Sequence, residues 1–279
     1  MHLLNFYPRK KLGQNFLIDK NIIRKITGII SLAKDDIVLE IGAGQGVLTQ
    51  ELIKSAKNVI AVELDRILFQ DLKHNFSDSD NIELINEDIL KINLQELIKK
   101  LRIRRKINVV ANIPYSITTP ILEYLFKNIE FFNIIYLMVQ KEFALRLAAK
   151  LNTKDYSSMS CFAQFHAQPA LLFQIKNTCF WPRPKVDSYF IRLKPKGCNF
   201  YSGELKPKDN KLLFKIIRTA FNQRRKNILN SLKSILDKNS VGDILTKLNI
   251  DFNSRAENIS LDDFIKVSNL VYNSHIGKS

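Results

Sequence analysis

Apolar residues recur at helical intervals over 21–33, at Ile22, Ile23, Ile26, Ile29 and Ile30. They then close up into Ile37-Val38-Leu39-Glu40-Ile41, a short branched run that predicts a buried strand. The run breaks at Gly42-Ala43-Gly44-Gln45-Gly46, and helical spacing resumes through Val47, Leu48, Leu52 and Ile53. Asn58-Val59-Ile60-Ala61-Val62-Glu63 then opens a second buried strand and completes a βαβ unit. The same alternation predicts helices over 67–75, 94–101, 120–127 and 141–150, and strands over 82–85, 107–111 and 133–139. That order implies an α/β class with an open, mostly parallel sheet.

After Tyr156 the texture changes. Met159 to Gln168 and Val186 to Leu193 read as strands. The prolines of Trp181-Pro182-Arg183-Pro184 between them exclude a helix and favour an ordered loop, so the sheet is expected to finish antiparallel. A stretch rich in Pro, Gly and Lys follows, and beyond it Lys211 to Leu236 and Val241 to Tyr272 show helical periodicity only. The expected division is an α/β domain at 1–196, a linker at 197–209 and a small all-helical domain at 210–279.

Composition narrows the partners. With 46% hydrophobic and 25% charged residues among 279, the chain has a core to bury and is neither fibrous nor disordered. Its longest apolar stretch, Phe131 to Val139, is interrupted by Asn133 and falls short of the roughly 20 residues that span a bilayer. The first twenty residues lack the apolar segment of a secretory signal, so a cytoplasmic location is expected. Three cysteines without CxxC spacing and four histidines away from zinc-ligand intervals predict neither disulfide nor metal. Lys+Arg at 43 against Asp+Glu at 27 gives +16, the balance of a chain that meets polyanions. Over-used Lys, Ile and Asn explain part of this excess. They do not explain the arginine-containing clusters Arg9-Lys10-Lys11, Arg102 to Lys106 and Arg224-Arg225-Lys226, which favour nucleic acid over an anionic membrane.

The glycine loop sits where the first strand ends, and residues without Cβ let a ligand approach the backbone and the next helix pack closely. A strand-to-helix turn alone would also use glycine there. The ligand reading gains from Glu63, about 20 residues on at the end of the second strand, where a carboxylate accepts both hydroxyls of an adenosine ribose. The dinucleotide fingerprint fails because its third glycine falls on Val47. Gly42, Gly44 and Glu63 therefore suit S-adenosyl-L-methionine, which carries ribose and adenine without a pyrophosphate. Asp88, just past the third strand, either accepts the exocyclic amine of the cofactor adenine or caps the next helix.

Asn112-Ile113-Pro114-Tyr115 follows the strand at 107–111 and so projects from the same sheet edge. On its own it also reads as a strand-terminating turn. Methylating an adenine amine requires the delocalised N6 lone pair to be freed. The Asn112 side-chain oxygen and the Ile113 carbonyl can each accept an N6–H and stabilise the charge that develops. Pro114 fixes φ and adds no competing donor, and Tyr115 offers a ring for the extruded base to stack on.

With these residues the chain resembles, almost end to end, the bacterial small-subunit rRNA adenine dimethyltransferases of the kasugamycin-susceptibility family. Lys11-Leu12-Gly13-Gln14-Asn15-Phe16-Leu17, Met138-Val139-Gln140-Lys141-Glu142 and Phe180-Trp181-Pro182-Arg183-Pro184-Lys185-Val186-Asp187-Ser188 are similar to its motifs. So are Phe221-Asn222-Gln223-Arg224-Arg225-Lys226 and Arg255-Ala256-Glu257-Asn258. The resemblance implies a Rossmann-like class I methyltransferase sheet with an antiparallel strand at its end and a helical C-terminal domain. By the same similarity Asn15 and Leu17 close over the cofactor with Gly42, Gly44, Glu63, Asp88 and Asn112, and Phe180 faces Tyr115 across the target adenine.

The implied substrate is a pair of adjacent adenines in the 3′-terminal hairpin of 16S rRNA, in the small ribosomal subunit or its precursor. A monomeric enzyme is expected, with Arg224, Arg225 and Lys226 gripping RNA. Lys99 to Lys106, with six basic residues in eight positions, reads equally as an RNA contact or a solvated helix end. The rivals are a 23S rRNA adenine N6-methyltransferase of the resistance type and a mainly non-catalytic 30S assembly checkpoint factor.

Overall fold

The computed structural model describes residues 8–9, 13–197 and 199–276, the side chains of the last two excepted. Lys10, Lys11 and Leu12 of the N-terminal motifs and Cys198 lie outside the described residues. The chain divides into two compact units, one of Met1–Ala144 and Ala170–Pro195, the other of Leu145–Pro169 and Lys196–Ser279.

The first unit starts with the two-residue strand β1 (Phe16–Leu17) and helix α1 (Lys20–Ile30). The Asp19 carboxylate caps α1 by accepting the N–H groups of Asn21 and Ile22 at 2.8 and 3.2 Å. β2 (Ile37–Ile41) then runs into the glycine loop, and Gly46 starts α2 (Val47–Ser55) with φ 76°. A Cβ at Gly46 would stand 2.7 Å from Phe76 Cε2 and 2.8 Å from Leu72 Cδ2, so only glycine turns the chain here. β3 (Asn58–Val62), α3 (Arg66–Asn75), β4 (Ile82–Ile85), α4 (Leu94–Lys100), β5 (Ile107–Asn112), α5 (Thr118–Lys127), β6 (Phe132–Gln140) and α6 (Lys141–Leu147) follow in the predicted alternation.

Beyond α6 come α7 (Ser158–His166), β7 (Ala167–Ile175), β8 (Phe180–Trp181) and β9 (Ser188–Pro195). Seven strands form one sheet in the order β4-β3-β2-β5-β6-β9-β7, and β8 pairs antiparallel with β1. All pairs from β4 to β6 are parallel, and β9 joins β6 antiparallel, as the sequence predicts. Central strands covered on both faces read as unbroken apolar runs; Val38, Val59, Val109 and Leu137 are all buried. Register lines up the carboxyl ends: Ile41 is opposite both Val62 and Ala111, and Val62 is opposite Ile85. Gly42, Glu63, Asn86 and Asn112 thereby share one sheet edge. The strand order reverses between β2 and β5, where such sheets bind ligands.

Three expectations are corrected. Most of Met159 to Gln168 is helix α7, because Ser157 and Ser160 form a capping pair, with the Ser157 N–H donating to Ser160 Oγ at 2.9 Å. The boundary expected at 196 also moves, because 145–169 belongs to the helical unit. Tyr156, Cys161 and Phe165 share a core with Leu213, Ile217, Phe221 and Phe264, and the Tyr156 and Phe221 rings meet edge-on at 5.8 Å. Nor is 197–209 a free linker. Tyr201 stacks on Phe165 at 4.8 Å, and Asn269 Nδ2 donates to the carbonyls of Glu204 and Lys206 at 2.9 and 3.0 Å. Helices α8 (Asn210–Asn222), α9 (Ile228–Ser231), α10 (Lys238–Lys247) and α11 (Leu261–Ile276) complete this unit. No helix among the described residues is long and apolar enough to cross a membrane.

Candidate active site

A cleft of about 210 Å³ opens at the carboxyl edge of the sheet and brings together Asn15, Gly42, Gly44, Glu63, Asp88, Asn112, Ile113, Pro114, Tyr115 and Phe180. Its walls follow from the register. The Gly42 N–H donates to Val62 O at 2.8 Å, and a Cβ at Gly42 would lie 3.6 Å from the Asn112 carbonyl oxygen. Gly42 and Gly44 have φ of 75° and 58°, which residues with side chains rarely adopt.

Glu63 is 7% exposed. Its Oε2 accepts the Gly44 N–H at 2.7 Å and its Oε1 accepts the Asp65 N–H at 2.8 Å, so the carboxylate ties the glycine loop to the turn after β3. Each oxygen keeps acceptor capacity for a hydroxyl. Burial pushes the Glu63 carboxyl above the usual carboxylate range, and the two N–H donors pull it back. Asp88 Oδ1 accepts the Leu90 N–H at 3.0 Å and caps the short turn at 89–91, and the residue also lines the cleft.

Asn112 Nδ2 donates to the Asn15 carbonyl at 2.9 Å, and Asn15 Nδ2 donates to the Gly13 carbonyl at 3.1 Å. Committing the amide nitrogen in this way sets the plane of the Asn112 side chain. Among the described residues no protein donor pairs with Asn112 Oδ1 or the Ile113 carbonyl. Tyr115 is anchored through its hydroxyl, 2.7 Å from Oγ of the buried Ser188 on β9. Burial raises the pKa of that phenol and keeps it neutral. Phe180 is 3% exposed and held by the β1–β8 ladder opposite Leu17.

Leu17 is buried in the core with Ile23, Ile26, Phe180 and Phe190 and stands outside the main cleft, which its neighbour Phe16 lines; it shares a smaller cavity with Gly42, Gly44 and Asn112.

Glu40 and Ser188 make buried hydrogen bonds beside the cleft that motif reasoning left without a role. Glu40 is 2% exposed and accepts the Thr49 hydroxyl at 2.6 Å, beneath the glycine loop. Its sequence signal is a single carboxylate inside an apolar strand. Burial, with the Glu63 charge adding, pushes its pKa up to about 8. In the unfolded chain the same group ionises near 4.5. The proton therefore stabilises the fold fully below that value, and the contribution is lost as pH rises through about 8. We expect Glu40→Gln to be less destabilising, relative to wild type, at pH 8 than at pH 5; urea midpoints at both pH values check this.

The basic candidates divide. Arg224, Arg225 and Lys226 lie in the turn between α8 and α9 rather than on a helix face. Arg224 is committed within its own unit: Nη2 donates to Lys154 O at 2.9 Å, and Nε lies 3.6 Å from Glu257 Oε2. Arg225 and Lys226 are exposed. Arg9 pairs with Asp65 at 3.3 Å. In the run at 99–106, Arg105 binds the main chain and carboxylate of Asp35, and Arg102 and Arg104 line a cavity with Ile37, Asn58 and Ile82, at the sheet edge away from Asn112.

The family described as Ribosomal RNA adenine dimethylase matches residues 5–273. A ribosomal RNA small subunit methyltransferase A from Lachnoclostridium phytofermentans is 40% identical over 271 residues, covering 95% of this chain and 92% of the relative. One from Protochlamydia amoebophila is 40% identical over 276 residues, covering 98% and 95%. The crystal structure of a dimethyladenosine transferase from Plasmodium falciparum superposes with a TM-score of 0.75 at 26% identity, covering 90% of this chain and 95% of that one.

Proposed function

Because the chain belongs to the ribosomal RNA adenine dimethylase family, we propose that its cleft transfers methyl groups from S-adenosyl-L-methionine to N6 of two adjacent adenines in the 3′-terminal hairpin of 16S rRNA. The product is dimethyladenosine, made on the small ribosomal subunit or its precursor by a cytoplasmic, monomeric enzyme that uses no metal. The observation that carries this reading is the pair of unshared acceptors, Asn112 Oδ1 and Ile113 O, in a cleft also lined by Tyr115 and Phe180.

The residues present fit the cofactor. Glu63 and Asp88 suit the hydroxyls and amine of an adenosyl group and repel a pyrophosphate, while Gly42 and Gly44 leave the backbone accessible where a Cβ would intrude. When bound, S-adenosyl-L-methionine supplies an electrophilic methyl group on a sulfonium. Glu63 would hold the ribose, with Asn15 and Asp88 at the rim. Asn112 Oδ1 and Ile113 O accept the N6–H groups and draw the adenine amine out of conjugation, stabilising the positive charge that grows on N6. The N6 proton leaves after transfer, so no general base is required in the step itself. Pro114 keeps a competing N–H away from the carbonyl acceptor. Tyr115 and Phe180 stack on the flipped base and recover part of the cost of unstacking it, and the Ser188 hydrogen bond holds the Tyr115 ring in place.

The small-subunit relatives at 40% identity support 16S over 23S rRNA as substrate. Incubating the protein with labelled cofactor and unmodified small subunits, then identifying the modified nucleoside by mass, tests the reading. Dimethyladenosine in 16S rRNA is expected; label confined to large-subunit RNA, or none, overturns it.

RNA grip is assigned to Arg225 and Lys226, with Arg224 bracing their turn. Replacing Arg225 and Lys226 by Ala should lower the slope of log affinity against log salt by about one per residue, as lost phosphate contacts do. Filter binding across a salt series measures it, and an unchanged slope removes both from the interface.

A further inference from the structure

We propose that the Trp181 indole is a stacking platform for the nucleotide next to the target adenine, which makes it a substrate-positioning residue of the same reaction. The inference rests on the reading of the cleft as the adenine site. Trp181 is 45% exposed, whereas its chain neighbour Phe180 is 3% exposed and lines the cleft. Side chains alternate across a strand, so burying Phe180 turns the next residue out to solvent. Trp181 does not line the cleft itself but borders it through two residues that do, its chain neighbour Phe180 and its register partner Phe16.

The segment that carries the indole is tied down on both sides. On one side the chain is held by the β1–β8 ladder and by the Ile18 N–H donating to Cys179 O at 2.9 Å. On the other, Arg183 Nε donates to Asn177 Oδ1 at 3.0 Å and Asn177 Nδ2 donates to Pro184 O at 3.2 Å. Asp187 takes the Asn177 N–H at 2.9 Å and Gln174 Nε2 at 2.7 Å. A ring carried on so tied a loop gives up little freedom when a base covers it.

Exposed cations complete the surface: Lys141, Lys176, Arg183 and Lys185 belong to this loop and its flanks. Lys141 and Lys176 lie close enough to Asp187 to help its N–H donors hold that carboxyl below the usual range. An aromatic face flanked by cations is the composition that binds single-stranded nucleic acid, with stacking for the base and charge for its phosphate. Extruding the target base leaves its neighbours short of a stacking partner, and the indole replaces one for either neighbour's base identity.

Trp181 is the sole tryptophan of the chain, so its emission reports on this position alone. Two measurements test the platform. In methyl transfer to unmodified small subunits, Trp181→Ala is expected to raise KM for the particle roughly ten- to hundredfold, the size of one lost base stack. Its kcat, cofactor affinity and thermal midpoint should stay near wild type. Trp181→Phe, which keeps an aromatic face, should restore most of the KM.

Separately, a heptaribonucleotide with a central adenine should quench the emission of the wild-type protein. An abasic ribose on one side of that adenine should abolish the quenching, and one on the other side should leave it. A KM for Trp181→Ala equal to wild type, or quenching indifferent to both abasic positions, overturns the proposal. Failure of the wild-type enzyme to methylate small subunits would sink the reading of the cleft instead, and the emission measurement would still decide whether the indole stacks on RNA.

Discussion

Asn112→Ala should cut methyl transfer about 10²–10³-fold in kcat, the loss typical of removing one group that hydrogen-bonds the transition state. The expectation follows from how the side chain is held. Its amide nitrogen donates to the Asn15 carbonyl at 2.9 Å, so the oxygen keeps its place whether or not RNA is bound. The adenine amine is a poor nucleophile because its lone pair is shared with the ring. An acceptor fixed in advance gains strength as the nitrogen pyramidalises and its protons become acidic, and therefore acts more on the transition state than on the bound substrate.

Truncation leaves the Ile113 carbonyl, the Tyr115 and Phe180 rings and the whole glycine loop in place. Cofactor affinity should fall much less than turnover, through the lost tie to Asn15, and particle KM should change little; a uniform loss of binding would instead raise KM and spare kcat. Single-turnover transfer with saturating cofactor and unmodified small subunits separates these outcomes. A kcat within about threefold of wild type would remove Asn112 from the chemistry. Asn112→Asp is the informative companion. It keeps an acceptor at Oδ1 but places a second acceptor against the Asn15 carbonyl, so its loss measures how much depends on orientation.

The parts of this architecture that were legible in the chain are those whose pattern is local. Strands β2, β3, β5 and β6 are buried on both faces and so spell themselves as apolar runs, and the glycine loop and Asn112-Ile113-Pro114-Tyr115 stand at their ends. What escaped depends on contacts far apart in sequence. The segment 145–169 joins the helical unit because Tyr156 meets Phe221 and because Arg224 reaches the Lys154 carbonyl, and neither is written in local periodicity. Arg224 looks identical to Arg225 as a letter, and both are exposed, yet Arg224 is braced by the Lys154 carbonyl and Glu257. Leu17 was placed at the cofactor by resemblance alone, since a strand of two residues has no period from which to read a face. Glu40 was readable in principle, since a carboxylate in a buried strand must find a partner or keep its proton.

Glu63→Ala should weaken S-adenosyl-L-methionine binding by about 10²–10⁴-fold while leaving small-subunit binding nearly intact. Two hydroxyls donating to a buried carboxylate contribute on the order of 1.5–3 kcal/mol each, which sets the range. The same change strips the Gly44 and Asp65 N–H groups of their acceptor, and the Gly44 donor lies on the loop that must hold still for the cofactor. Glu63→Gln tests these two contributions. It retains an oxygen for one N–H and turns an amide NH₂ toward the other, so it should fall close to Glu63→Ala in cofactor affinity while unfolding nearer to wild type.

Because Glu63 lies in the sheet unit and Arg225 and Lys226 in the helical one, loss of the cofactor should not release the RNA. Calorimetric titration of the cofactor, alongside co-sedimentation with small subunits, reads both quantities. A cofactor Kd within about threefold of wild type would take the ribose away from Glu63. Joint loss of cofactor and particle binding would mean that grip on the subunit depends on a loaded cleft, which couples the two functions that a checkpoint role in assembly would need to keep apart.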